Sequence, residues 1–144
     1  MSMSYEEYEK ECARIREENK AYLAAFEAEL KKAGLSPKTI RNHLFNVDLY
    51  LNDYQLREEP YSMEEGMCGL DGFFWFFIHK CMWSTPSNVK STAASIKKFY
   101  KCMAELGKVD AREYALFAAE VREGVPDWQQ ECVEFNDPDW EPEW

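Results

Sequence analysis

The sequence predicts an all-α protein, a bundle of four to five helices. Apolar residues recur three and four positions apart through most of the chain, which is the spacing of one helix face. The pairs Ser36-Pro37 and Thr85-Pro86 have the form of helix starts, and Gly34 and Gly107 stand where helices commonly end. With 144 residues, of which 46% are hydrophobic, the chain is long enough to form one compact domain with a buried core.

The first two helices are predicted on either side of Gly34. The first starts near residue 6 or near residue 19, and its apolar face contains Tyr22, Leu23, Phe26 and Leu30. The second begins with Ser36 as its N-cap and Pro37 in its first turn. Its apolar residues then follow at i, i+4, i+7, i+11 and i+14: Ile40, Leu44, Val47, Leu51 and Tyr54.

A second apolar surface is predicted on this second helix. Phe45 and Leu49 lie opposite Ile40 and Val47 on a helical projection. A helix that is apolar on two sides either is central to a bundle or contacts a further partner. We therefore expect Phe45 and Leu49 to be partner-binding residues.

Three further helices are predicted after a connection at residues 57–71. Residues 72–83 form the third helix, although such a continuous apolar run is also compatible with a buried strand. The fourth runs from Thr85 to Gly107, and the fifth runs from Asp110 to about Glu123.

The remaining residues at each end are acidic, and they suggest three parts of the chain. Residues 1–18 are an acidic helical extension, residues 19–125 are the helical domain, and residues 126–144 are an acidic, Trp-rich tail. The tail is either a solvated terminus or a ligand-like strip. In the second case its carboxylates and aromatic rings lie on a basic surface or engage a partner's groove.

Charge is distributed unevenly along the chain. The formal net charge is −10, but the balance is −3 over residues 1–18, +2 over 19–109 and −9 over 110–144. Residues 72–104 contain five lysines and no acidic residue. Three of these, Lys90, Lys97 and Lys101, fall at i, i+7 and i+11 and form one stripe on a helix, with Lys98 beside it. This stripe predicts a surface that meets an anion.

Signatures of catalysis, metal binding and membrane insertion are missing from the sequence. The five cysteines form no Cys-x-x-Cys pair, and neither His43 nor His79 has a ligand at metal-binding spacing. The paired glutamates fall in polar stretches typical of solvated surface. We expect a non-catalytic cytoplasmic protein without metal, cofactor or membrane span.

Residues 22–109 resemble the N-terminal, SAM-like core-binding domain of tyrosine recombinases of the phage-integrase family. That family shows a helix ending in Gly, a Ser-x-x-Thr helix start and an aliphatic ladder, matched here by residues 34–40. It then shows a Ser/Thr-rich helix, a Lys/Arg-Phe-Tyr segment and a Gly, matched by residues 84–96, Lys98-Phe99-Tyr100 and Gly107. The resemblance implies a SAM-like orthogonal bundle that forms half of a clamp around double-stranded DNA.

The resemblance also implies a set of DNA-binding residues on the second and fourth helices. They are Lys38, Thr39, Arg41, Asn42, Ser87, Asn88, Lys90, Ser91, Lys97 and Lys101. Lysines there would neutralise phosphates, and hydroxyl and amide groups near helix starts would donate to phosphate oxygens.

The chain departs from the family in lacking its catalytic half. Only 21 residues follow Glu123, and neither histidine has Arg three positions later, so no recombination chemistry transfers. We expect either a standalone module related to DNA recombination and integration or a piece of a longer protein. The alternative is a protein–protein interaction module that kept the fold and lost DNA binding, and that binds a recombinase or self-associates.

Overall fold

A computed structural model describes residues 3–81 and 83–139, and over those residues the protein is helical with no strand. The all-α prediction is confirmed. The α-helices are α1 (Tyr5–Lys32), α2 (Pro37–Asp48), α3 (Leu70–Lys80), α4 (Pro86–Glu105) and α5 (Ala111–Asn136). A π-helix, Leu49–Tyr54, continues α2, and a 3₁₀-helix, Met63–Met67, precedes α3. In this described part, no helix is both long and apolar enough to cross a membrane.

Helix α1 begins at Tyr5 and continues without a break through the expected boundary at residues 18 and 19. Ser4 caps it by accepting a hydrogen bond from the backbone N–H of Glu7 at 3.2 Å. The earlier of the two predicted starts is correct because Cys12 and Ile15 continue the buried face and pack against Leu56.

Helix α2 begins as predicted, with the Ser36 side chain accepting from the backbone N–H of Thr39 at 3.2 Å. The chain then widens into the π-helix, in which backbone hydrogen bonds span five residues instead of four. Leu49, Tyr50 and Leu51 are all buried, and Leu49 keeps the α-helical hydrogen bond from its N–H to the Phe45 carbonyl. Leu49 is 7% exposed and belongs to the hydrophobic core, so the expectation that it contacts a partner is wrong.

Helices α3 and α4 confirm the predicted pattern. The run of aromatic residues forms a helix rather than a strand, and it buries Phe73, Phe74 and Phe77. Helix α4 starts at Pro86 behind the N-cap Thr85 and contacts α1, α2, α3 and α5, so it is the central element of the bundle.

Helix α5 differs most from the prediction, because it passes through Pro126 and ends at Asn136 instead of Glu123. A proline inside a helix costs about 3 kcal/mol. Beyond it, Trp128 and Cys132 are 6% and 0% exposed in the hydrophobic core. Burial of a Trp-sized side chain contributes about 4–6 kcal/mol, which outweighs the proline. Residues 126–136 of the expected tail are thus a docked helix, and residues 140–144 lie outside the described part of the chain.

Candidate functional site: a basic groove

The core face and the basic face of α4 are separate. Val89, Ala93, Ile96, Tyr100 and Met103 are each fully buried, at 0% exposure. The lysine stripe lies on the other side of the helix, where Lys97 is half-buried and Lys90, Lys98 and Lys101 are exposed. The apolar face thus holds α4 at the centre of the bundle while its lysines face outward.

A surface groove of about 660 Å³ runs beside these lysines, and we call it the basic groove. Helix α4 forms one side, α5 forms the other, and His43 is the one contributor from α2. Its lining residues are His43, Lys90, Ala94, Lys97, Lys98, Lys101, Tyr114, Val121, Arg122, Val125, Pro126 and Gln129.

The basic groove carries five cations and no carboxylate among these lining residues. Within the described ranges, none of its four lysines, nor Arg122, has a carboxylate oxygen within 4.0 Å. On α1, Arg14, Lys20, Lys31 and Lys32 pair with glutamates of their own helix and Lys10 and Arg16 do not, so the clustering of its five cations is what distinguishes the groove. Five cations around one concavity, with no partner among the described carboxylates, concentrate positive potential there and make the groove a candidate anion site in an acidic protein.

Helix α5 separates opposite charges on its two flanks. Arg122 and Gln129 face the basic groove. The other flank borders a smaller cleft of about 290 Å³, whose lining includes four carboxylates: Asp71, Glu120, Glu123 and Asp127. These four carboxylates therefore border the opposite flank of α5 and are not part of the lining of the basic groove.

In the described residues, no group of three or more His, Cys, Asp or Glu side chains is arranged to hold a metal ion.

A second cleft of similar size, about 670 Å³, lies between the end of the π-helix and α3. Its two cations are already engaged with aromatic rings, Arg57 over Phe76 at 4.5 Å and Lys80 over Trp75 at 5.7 Å. Three glutamates share the lining with them, so this cleft has no excess of positive charge. The basic groove is the stronger candidate for an anion site.

His43 connects the basic groove to a buried hydrogen-bond network. Ser95 Oγ donates to the carbonyl of Ser91 at 3.0 Å and accepts from Asn46 Nδ2 at 3.0 Å. His43 Nδ1 lies 2.8 Å from the same Ser95 Oγ and shares a hydrogen bond with it, in which the tautomer of the ring sets the donor. Burial, and secondarily the positive charge of Lys98, lower the pKa of His43. Both effects favour the neutral form of the ring.

The ten predicted DNA-binding residues do not all lie together. Lys90, Lys97 and Lys101 line the basic groove. Seven others lie outside its lining: Lys38, Thr39, Arg41, Asn42, Ser87, Asn88 and Ser91. The first four are exposed at the start of α2. Asn88 is committed to capping, because its Oδ1 accepts from the backbone N–H of Thr85 at 2.6 Å and its Nδ2 donates to the carbonyl of Trp83 at 2.8 Å.

Two polar groove residues on α5 were missed: Gln129 because the helix was expected to end near Glu123, and Arg122 because its place in the groove depends on the packing of α5 against α4. Gln129 Nε2 donates to the carbonyl of Pro86 at 3.0 Å and so ties α5 to the start of α4. A signal was present in the sequence. The apolar residues Phe117, Val121, Trp128 and Cys132 keep helical spacing across Pro126.

Of the two predicted partner-binding residues, one is available. Phe45 is 58% exposed on α2, whereas Leu49 is in the core. The second apolar surface predicted on α2 is therefore a single exposed ring.

Comparison of the chain with protein-family models, with curated proteins and with solved structures finds no match to any of them.

Proposed function

We propose that this protein is a non-catalytic DNA-binding module whose basic groove holds the phosphate backbone. The observation that carries the proposal is the set of five cations around one groove, none of them paired with a carboxylate of residues 3–81 or 83–139, in a chain of net charge −10. Lysine and arginine bind nucleic acid by neutralising phosphates and releasing counterions. Contacts of this kind position the backbone and read no bases.

The resemblance to the core-binding domain of tyrosine recombinases is part of this proposal. It supplies a role in DNA recombination or integration, and it extends the interface to Lys38 and Arg41 at the start of α2. Both side chains are exposed, which leaves them accessible to a DNA backbone. Their position outside the groove lining makes them secondary contacts in the proposed interface.

The experiment that tests DNA binding is fluorescence anisotropy of a labelled duplex titrated with the full chain from about 25 to 200 mM salt. Each neutralised phosphate contributes a log–log slope of about −0.9, so three to five contacts give about −3 to −4.5. The variant Lys97→Gln/Lys101→Gln should lose about two contacts and make the slope shallower by about 1.8.

The matched control is Lys31→Gln/Lys32→Gln, which removes the same charge from exposed positions on α1. It should leave the slope unchanged. Equal losses in the two double variants would show that only net charge matters, and they would overturn the groove as the interface.

Exposed aromatic residues favour a second candidate function, a protein-interaction module. On α3 and α5, Trp75 and Phe135 are 50% and 48% exposed, and His79 lies between them with ring centroids 4.7 and 4.4 Å away. Exposed aromatic clusters are enriched at protein interfaces. The module would bind a recombinase or self-associate. Loss of association in Trp75→Ser, with DNA binding absent in the full chain, would favour this function over the first.

A further inference from the structure

The floor of the basic groove is apolar, and a phosphate backbone alone would leave it uncovered. Between the cations, the lining contains Ala94, Tyr114, Val121, Val125 and Pro126. Sites that hold only phosphate need donors and positive charge, whereas apolar side chains in a concavity favour an apolar group of the ligand. The groove thus offers charged contacts to phosphate and apolar contacts to a second part of the ligand.

The shape of the groove also discriminates between forms of DNA. A duplex is a convex cylinder whose bases are stacked inside it, and its major groove alone is about 12 Å wide. It can meet the cations on the rim, but it presents no base to a concavity of about 660 Å³ between two packed helices. A single strand can turn a base out of its stack and place it there.

The length of the cationic stretch fits a short strand. Lys90 and Lys101 are eleven residues apart on α4, which is about 16 Å at 1.5 Å per residue. A full duplex turn is about 34 Å long, so the stretch covers about half of one. Beyond Lys101 the next charged residue of α4 is acidic: burial, and secondarily the Glu105 carboxylate, raise the pKa of Tyr114.

We propose that the basic groove is a site for single-stranded DNA. One unstacked base lies on the floor formed by Tyr114, Val121 and Val125, and the flanking phosphates are held by Lys90, Lys97, Lys101 and Arg122. This inference rests on the proposed DNA binding at the same groove. It adds that the bases contribute to affinity, which a purely electrostatic interface does not require.

The test compares three labelled probes of equal length with the full chain at one salt concentration: a single strand of twelve nucleotides, its duplex, and a twelve-nucleotide strand with abasic sites at its four central positions. Stacking of one base on a protein surface corresponds to a factor between about 5 and 150 in affinity. The intact single strand should therefore bind at least about fivefold tighter than the abasic strand, and it should also bind tighter than the duplex.

A variant that fills the groove without changing its charge gives an independent readout. Ala94 is exposed and lines the groove, so Ala94→Leu covers the floor without disturbing the core. It should weaken binding of the intact strand to the level of the abasic strand and leave abasic binding unchanged. Ala24→Leu, at an exposed position of α1, is the matched control.

The outcomes distinguish the single-stranded site from the proposed DNA binding on which it rests. Failure of all three probes to bind at low salt overturns both. Tight binding with the duplex equal to or better than the single strand, or with the abasic strand equal to the intact one, keeps DNA binding and overturns the single-stranded site. An equal loss of intact and abasic binding in Ala94→Leu also overturns it.

Discussion

The indole of Trp128 stacks on the ring of Phe74, with 4.4 Å between the ring centroids and 22° between the planes. Its Nε1 donates a hydrogen bond to Asp71 Oδ1 at 2.8 Å. Both contacts join the second half of α5 to α3. The same half of α5 carries Val125 and Gln129 into the lining of the basic groove. The groove therefore depends on the docking of a segment that composition alone assigns to a tail.

Replacing Trp128 with Ala should lower the free energy of unfolding by about 3–5 kcal/mol, because it removes a buried aromatic side chain and leaves a cavity. Urea denaturation followed by circular dichroism measures this. Val133→Ala, on the same helix at a position 48% exposed, should change the stability by less than about 0.5 kcal/mol. A change in Trp128→Ala as small as in that control would contradict the docking of α5 on α3.

Gly124→Ala should be destabilising, although alanine is the better helix former. A Cβ at Gly124 would lie 2.5–2.9 Å from three atoms of the Trp128 indole, which stacking and a hydrogen bond hold in place. The propensity gain is about 1 kcal/mol, and overpacking of this kind costs about 1–3 kcal/mol.

The sign of the Gly124→Ala effect should reverse when Trp128 is absent. In the Trp128→Ala background the clash is gone, so Gly124→Ala should stabilise the protein by up to about 1 kcal/mol. Denaturation of the four proteins of this cycle measures the coupling. Equal effects in the two backgrounds would show that the two residues do not contact.

Local signals in the sequence predict most of the helices well. Ser36 and Thr85 cap helices where their side chains are expected to, and Gly34 and Gly107 adopt the positive φ angles that end them. The end of α5 could not be predicted in this way. Pro126 opposes a helix locally, whereas the docking of Trp128 on Phe74 depends on a residue more than fifty positions earlier in the chain.

In the candidate site, too, residues placed by the spacing within one helix were predicted, and residues placed by packing between helices were not. The stripe of Lys90, Lys97 and Lys101 follows from helical spacing on α4 alone, and it was predicted. Arg122 enters the groove only because α5 packs against α4, and no local pattern contains that contact. Leu49 was misassigned because a helical projection of α2 does not show which helices pack on each of its sides; in the fold α2 contacts both α1 and α4, and Leu49 lies in the hydrophobic core.

Phe45→Ser tests whether α2 contacts a protein partner. Because Phe45 is 58% exposed and its neighbour Leu49 is buried, the change should leave the stability within about 0.5 kcal/mol of the wild type. If α2 mediates self-association, sedimentation velocity over a range of concentrations should show the wild type associating and Phe45→Ser remaining monomeric. Identical sedimentation of the two proteins at every concentration would remove α2 from the protein-interaction hypothesis.

Acidification should destabilise the protein through His43. Its pKa is lowered in the folded state by burial and by Lys98, relative to about 6.5 in the unfolded chain. The unfolded state therefore binds a proton before the folded state does. The stability from neutral His43 is complete above pH of about 6.5 and is lost as the pH falls toward and through the lowered value.

The variant His43→Asn isolates this contribution, because its amide can still form a hydrogen bond with Ser95 Oγ but does not titrate. Urea denaturation at pH 7 and at pH 5 should show a larger loss of stability in the wild type than in His43→Asn. The many carboxylates of the chain titrate in both proteins, so their effect cancels in the comparison. Parallel losses in the two proteins would mean that His43 is as easily protonated in the folded state as in the unfolded one, contrary to its burial beside Lys98.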